Sequence, residues 1–452
     1  MLKRFLLTAA LLSVFMAPVY SDHISDSAAH MKNGVVKAKL GQYTEAIEDF
    51  NKAINLNPNN SDAYSSRGAV KRKLGQYFEA IQDCDKAISL DPNFTDPYVN
   101  RGNAKVDLGQ YFEAIQDFDK AISLDPNNVD VYYNRGTTKV YLKQYSEAIQ
   151  DYDKAISLDP NYADAYYNRA NAKYDLGQYF ESIQDFDKAI SLDPNDAMAY
   201  FYRGLAKHDL GQYFESIQDY DKVISLNPNN ADAYNNRGLA KHDLGQYSAA
   251  IQDFDKVISL HPNYADAYYN RGNAKLYLGQ NFEALQDYDK AISLNPNEAM
   301  AYMNRGTVKY ALGQYFEAIQ DYDKAISLNP NDADAYNNRG LAKAQLKQYS
   351  VAVQDFDKAI SLNPNNAMAY YYRGLAKVSL NQYFVAIQDL DKAISLDPNY
   401  ADAYAVRGLA KEGLKQYSAA VQDYDKAISL DPNDTSFYNL RRAALELMNK
   451  SP

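Results

Sequence analysis

Between residues 299 and 332 the chain reads AMAYMNRGTVKYALGQYFEAIQDYDKAISLNPND, and its apolar letters fall on two stripes of helical period. In the first half Ala301, Tyr302, Val308 and Leu312 recur mostly at three- and four-residue steps, which places them on one face of a helix. Gly313-Gln314 interrupts the pattern. In the second half Tyr315, Ala318, Ile319, Tyr322, Ala325 and Ile326 form another such stripe, long enough for an amphipathic helix. Asn329-Pro330-Asn331 ends it, because the residue before a proline is pushed out of the helical region and proline lacks the amide donor. Small residues at Gly306, Ala318 and Ala325 let the two helices approach closely. The pattern predicts a helical hairpin too short to bury its own apolar stripes, so each hairpin must lean on its neighbours.

The same window returns every 34 residues. Proline stands at 58, 92, 126, 160, 194, 228, 262, 296, 330, 364, 398 and 432 without a slip. A fixed period of this size is the mark of a stacked repeat array. It overrides the prior of about three separate domains that length alone suggests. Twelve complete units follow: 27–60, 61–94, 95–128, 129–162, 163–196, 197–230, 231–264, 265–298, 299–332, 333–366, 367–400 and 401–434. Both ends deviate as capping requires. The first unit has His30 where others have Tyr64 or Tyr98, and Asn33 where others have Arg67 or Arg101. After 434 one helix remains, from about Ser436 to Asn449, expected to keep Tyr438 and Leu445 on its apolar stripe while Arg442 fills the glycine column. No linker or appended domain interrupts the array.

Tyr302, Gly306, Leu312, Gly313, Tyr315, Ala318, Tyr322, Ala325 and Pro330 carry the pattern of the tetratricopeptide repeat, which the chain resembles over 27–434, with 435–452 as the usual C-terminal helix. The resemblance implies an all-α fold: a right-handed superhelical solenoid of antiparallel helix pairs with a C-terminal capping helix. It also implies that extended peptides bind along a concave face built from the first helices. Two departures recur in nearly every unit, Arg305 where the family usually has Leu and Lys309 where it usually has an aromatic. The Arg305 and Lys309 columns lie four apart on one helix face, and the second helix carries acids in the Asp321 and Asp323 columns. They read as repeated ion pairs between packed helices, with the long stems covering apolar surface. As exposed pairs each would contribute roughly 0–1 kcal/mol.

Columns identical in every copy serve stacking, which all copies share; columns that differ are free to serve a ligand. Met300, Met303, Thr307, Tyr310 and Ala311 vary, with Asn304 beside them, and their spacing places them on one stripe of the first helix. The Asn304 column holds Asn100, Asn134, Asn168, Asn236, Asn270, Asn304 and Asn338. An asparagine both donates and accepts, so a regular row can pair with an extended backbone, or else with the neighbouring repeat. Similar asparagine ladders occur in tetratricopeptide domains that bind peptide backbones. Beside them run Tyr133, Tyr167, Phe201, Tyr269 and Tyr371, with Leu205, Leu239, Leu341, Leu375 and Leu409 one turn on. Exposed, these are anchor pockets; covered, they are core. The Met300 column is mostly Asp (Asp62, Asp96, Asp130, Asp164, Asp232, Asp266) and the Met303 column never carries Lys. That disfavours a carboxylate clamp and favours neutral or basic ligands.

The formal net charge is -11, with both signs interleaved, which argues against nucleic acid as the partner. The single cysteine, Cys84, excludes an internal disulfide and sits in the column of Phe118 and Tyr152, a buried hydrophobe's place. At the N-terminus Lys3 and Arg4 precede the apolar run Phe5–Met16, and Val19-Tyr20-Ser21 follows. This reads as a signal peptide over 1–21, with the mature chain beginning near Asp22. The run is too short for a comfortable span of about 20 residues, and no second apolar segment predicts a stable membrane span. His208 and His242 share a column, but two histidines without closed ligand spacing do not make a metal site. Neither a phosphate-cradling glycine loop nor a nucleophile–base pair recurs. The expectation is an exported, periplasmic or secreted scaffold without cofactor or catalysis that binds a protein or peptide segment along its groove. The alternatives are a glycan-binding envelope or host-interface protein, since tyrosine faces beside Asn and Asp suit sugars, and a structural or self-assembly spacer.

Overall fold

The computed structural model describes residues 25–450. The expected signal peptide, 1–21, lies outside the described residues. Every regular element among them is an α-helix. The helices group into two compact units, one ending at Pro228 and the other beginning at Asn229.

In the first unit a helix over 25–39 is followed by Tyr43–Leu56, and then short and long helices alternate: Ser61–Lys73 and Tyr77–Leu90, Thr95–Asp107 and Tyr111–Leu124, Val129–Tyr141 and Tyr145–Leu158, Ala163–Asp175 and Tyr179–Leu192, Ala197–Asp209 and Tyr213–Leu226. Each hairpin turns on a left-handed residue. Gly109 has φ 74°, and the turn closes when Gln110 N donates to Lys105 O at 2.8 Å and Gly109 N to Val106 O at 2.9 Å. This is the glycine-terminated helix end, in which the free carbonyls of the last turn find donors. Asp125-Pro126 stops the second helix, and Asn128 caps the next one by accepting from Val131 N.

Between the two helices of a hairpin the packing is tight because the first helix carries a glycine. A Cβ placed on Gly102 would stand 2.7 Å from Cε1 of Phe118, and one on Gly136 2.9 Å from the ring of Tyr152. Phe118, Tyr152, Phe186 and Tyr220 are all fully buried beneath that column. Cys84 takes the same place in its hairpin, and burial pushes its thiol up to about 12.

The second unit repeats the arrangement with Ala231–Asp243 and Tyr247–Leu260, Ala265–Tyr277 and Asn281–Leu294, Ala299–Ala311 and Tyr315–Leu328, Ala333–Gln345 and Tyr349–Leu362, Ala367–Ser379 and Tyr383–Leu396, Ala401–Gly413 and Tyr417–Leu430. It ends in the single helix Thr435–Lys450. That helix buries Phe437 and Ala444, and Leu445 is half-buried. Tyr438, expected on the apolar stripe, is exposed and spends its hydroxyl on Pro432 O at 3.3 Å. The stripe is set one residue earlier, by Phe437.

The Arg–Lys–Asp columns form the expected ion pairs, but one carboxylate of each set is not at the surface. Arg101 donates through Nε and Nη2 to both oxygens of Asp117, Lys105 Nζ adds a contact at 2.7 Å, and Asp117 is only 4 % exposed. The third guanidinium nitrogen reaches the exposed Asp85 of the preceding hairpin at 2.5 Å. The Arg101 guanidinium also lies over the Tyr98 ring. The value for exposed pairs therefore applies to the Asp85 contact and not to the one with Asp117. In the first hairpin, where Asn33 replaces the arginine, His30 Nδ1 sits 3.0 Å from Asp49 and Lys37 completes the set at 2.6 Å.

Candidate functional site

The variable stripe of the first helices is half core and half surface. Four of its five aromatic members lie on the buried ring of their own second helix. Tyr133 meets Tyr152 at 6.1 Å, Tyr167 meets Phe186 at 5.9 Å and Phe201 meets Tyr220 at 5.8 Å in the first unit. In the second unit Tyr269 meets Tyr288 at 6.1 Å, and Met303 is buried in the cluster around Tyr322. Tyr371 has Leu390 in its hairpin and instead packs against Tyr372 and Tyr400, 5.0 and 4.7 Å away. All five aromatic candidates are half-buried. Burial raises the phenol of Tyr167 to about 12; Tyr133 is raised by burial and then by the charge of Asp164.

The asparagines fall into three groups. Asn100 donates to Ser65 Oγ at 3.1 Å, Asn168 to the Tyr133 hydroxyl at 2.8 Å, and Asn270 to Asn235 Oδ1 at 3.3 Å. Asn304 donates to the Tyr269 hydroxyl at 3.1 Å and to Asn273 Oδ1 at 2.9 Å. Each of these amides reaches back to the preceding hairpin. Asn236 turns to its own helix, at Asp232 O. Asn134 and Asn338 are half-buried, and neither side chain has a hydrogen-bond partner among the described residues.

In the second unit the stripe opens into a cavity of about 440 Å³ across three consecutive first helices. Tyr310, Tyr349, Phe356 and Tyr372 supply aromatic walls, Leu341 and Leu375 the aliphatic ones, and Gln345 and Ser379 polar edges. Gln345 Nε2 donates to the Tyr310 hydroxyl at 3.3 Å. The space exists because Ala344 stands in a column that carries Tyr174, His208, His242, Leu276 and Tyr310 in the five preceding hairpins. Leu341 and Leu375 belong to the row expected to line anchor pockets. Ala344 and Gln345 fall in the variable Tyr310 and Ala311 columns, whereas Tyr349 and Tyr372 were not among the candidates; the signal was a small letter where the five preceding hairpins carry large ones.

The histidines show no metal geometry. His208 Nδ1 lies 3.9 Å from Asp209 and His242 Nδ1 3.3 Å from Asp243, and each ring sits edge-on to a tyrosine, Tyr213 and Tyr247. Among the described residues no group of three or more His, Cys, Asp or Glu is placed to hold an ion, and no helix is long and apolar enough to cross a membrane.

Stacked two-helix repeats with a variable, partly open stripe define a class of repeat scaffold. A family model described as TPR repeat matches residues 34–75, 102–144, 138–177, 170–211, 204–245, 238–279, 272–313, 306–347 and 374–415. Models described as Tetratricopeptide repeat match 61–94, 333–366, 401–434 and 84–116. The chain belongs to the tetratricopeptide repeat family, whose fold is consistent with protein–protein interaction. No curated protein matches it. Solved structures similar to it include the Cut9–Hcn1 hetero-tetramer, 16% identical over 96% of this chain and 99% of that one, with TM-score 0.46. A MamA protein is 31% identical over 38% of this chain and 94% of that one, TM-score 0.35. YrrB, described as a TPR protein with an unusual peptide-binding site, is 26% identical over 43% and 97%, TM-score 0.38.

Proposed function

We propose that this chain is an exported, non-catalytic scaffold that holds an extended protein segment along its first-helix stripe and seats one large apolar side chain of that segment in the cavity at Ala344. The cavity is the observation that carries the reading. A concave site with mostly apolar walls and a few polar groups at its edge is the usual form of an anchor pocket; a smaller one, of about 320 Å³, lies at the equivalent place in the first unit, where Ala38 stands in the same column. Asn338 lies three residues before Leu341 on the same helix and has no side-chain partner among the described residues, so its amide is available to a peptide backbone beside the anchor. In the first unit Asn134 has the same freedom. Asn100 and Asn304 direct both amide hydrogens to the preceding hairpin and serve the ladder only through their carbonyl oxygens, whereas Asn168 and Asn270 each spend one N–H there and keep the other.

A random peptide library displayed on phage and selected against the mature chain tests this. Selected peptides should share a Leu, Phe or Tyr at one position, and Ala344→Tyr should lower their affinity at least tenfold while leaving the thermal midpoint unchanged or raised. Asn338→Ala should weaken the same peptides. Selection that yields no shared residue, or binding indifferent to Ala344→Tyr, overturns the proposal. The proposed export places the mature start near Asp22, in the periplasm or outside the cell. N-terminal sequencing that recovered Met1 on the mature protein would overturn that part alone.

A further inference from the structure

The second residue of the second helix forms a column that no stripe of the fold requires. In the first unit it reads Thr44, Phe78, Phe112, Ser146, Phe180 and Phe214. The four phenylalanines are 60–65% exposed, at the turn edge of their hairpins, and Leu74, Leu176 and Leu210 stand beside them, each about two-fifths exposed. Tyr141, 59% exposed, lies flat on Tyr111 at 5.1 Å on the same edge. Thr44 and Ser146 occupy the column without disturbing their hairpins, so helix packing does not need a phenylalanine there. A large apolar residue kept in water at a site where serine suffices points to something outside the chain.

We propose that this edge of the first unit pairs with the same edge of a second copy of the chain, antiparallel about Ser146. The order Phe78, Phe112, Ser146, Phe180, Phe214 reads the same in both directions. A two-fold axis at Ser146 therefore sets Phe112 against Phe180 of the other copy and Phe78 against Phe214, which is the self-complementarity that an isologous contact requires. The exposed parts of the phenylalanines, the leucines and Tyr141 amount to on the order of 800 Å², taking about 200 Å² for each aromatic side chain. That matches the roughly 800 Å² each partner contributes to a standard interface.

The test uses the full mature chain. Sedimentation velocity over a wide concentration range should show a monomer–dimer equilibrium, and Phe112→Ser with Phe180→Ser together should weaken the dimer at least tenfold with circular dichroism and thermal midpoint unchanged. The geometry is checked by oxidative cross-linking, which the fully buried Cys84 does not confuse. Ser146→Cys should link to itself, whereas Phe112→Cys and Phe180→Cys should link only when the two variants are mixed. A wild-type chain that stays monomeric overturns the proposal, including one that binds vesicles or polysaccharide through these residues instead. So does a dimer in which Phe112→Cys links to itself or Ser146→Cys does not.

Discussion

Arg271 and Asp287 meet as fork to fork: Nε and Nη2 of the arginine donate to the two carboxylate oxygens at 2.9 and 2.5 Å, and Lys275 Nζ approaches the same carboxylate at 2.7 Å. Asp287 is 3 % exposed. The remaining nitrogen, Nη1, donates to Asp255 at 2.5 Å, a carboxylate about half exposed. One arginine thus ties its own hairpin through a buried carboxylate and the preceding hairpin through a surface one. The two contacts should differ in energy. Arg271→Met leaves Asp287 buried with a single cation and should cost on the order of 3–5 kcal/mol. Asp255→Asn should cost no more than about 1 kcal/mol. Urea unfolding followed by circular dichroism separates them; equal effects would show that the buried contact is no stronger than the exposed one.

The hairpin turn makes a second prediction. At Gly279 and Gly313 the backbone has φ of 73° and 76°, and at Lys347 the same turn is made at φ 60° by a residue with a Cβ. A left-handed conformation costs a non-glycine residue about 1–2 kcal/mol, and nothing lies within 4 Å of the Cβ position at Gly313 to repay it. Lys347→Gly should therefore stabilise the second unit by about 1 kcal/mol, and Gly313→Lys should cost a similar amount. Opposite shifts of the thermal midpoint are the expected readout; a loss in both variants would mean that the Lys347 side chain is needed at the turn.

Alkali should act on the buried tyrosines before anything else in the core. Burial raises the Tyr322 phenol to about 12, the bond to Thr307 lowering it only in part. The same direction holds for Tyr152, Tyr220, Tyr288 and Tyr424, raised chiefly by burial. A folded pKa above the unfolded value of about 10 means that the stabilisation is fully present below pH 10 and is lost as pH rises through 12. Helix content and tyrosinate absorbance should change together in that window, and Cys84 should react with a thiol reagent only as they do. Ionisation of every tyrosine near pH 10 with helices intact would contradict the buried-ring packing.

The hairpin, its turn and the charged columns are legible in the letters because each is a local rule repeated along the chain: helical spacing, a glycine before the second helix in eight hairpins of twelve, a proline after it in all. Depth is not. Asp287 and Asp289 are the same letter two positions apart, yet the side chain of one is nearly sealed and that of the other is 63% exposed. The adjacent aromatics Tyr315 and Phe316 likewise give no sign of which one faces water, and it is Phe316, 63% exposed. Direction is lost as well. Asn304 and Asn338 are indistinguishable in sequence, but only Asn304 has a hydroxyl and an amide oxygen of the preceding hairpin within reach. The cavity at Ala344 depends on four helices at once, so one small letter carries no volume until its neighbours are placed.

The Asp column on the first helix gives the last prediction, with a sign opposite to that of Asp49. Asp402 is held above the usual carboxylate range by burial first and then by the charges of Asp434 and Asp431. A folded pKa above the unfolded value of about 3.9 means that the folded state binds the proton more tightly. The ionised group therefore weakens the fold at neutral pH, and the penalty disappears as pH falls below both values. Asp49 is the reverse case: its bond to Lys37, and then the one to His30, hold it low, so its stabilisation is present above about pH 4 and is lost in acid. Asp402→Asn should raise the thermal midpoint at pH 7 and leave it unchanged near pH 3, whereas Asp49→Asn should lower it at pH 7 and matter less in acid. Met198, Met300 and Met368 already occupy the same column in other hairpins, so the site accepts an uncharged side chain of this size. A midpoint for Asp402→Asn that falls at pH 7 would show the carboxylate to be paired and not crowded.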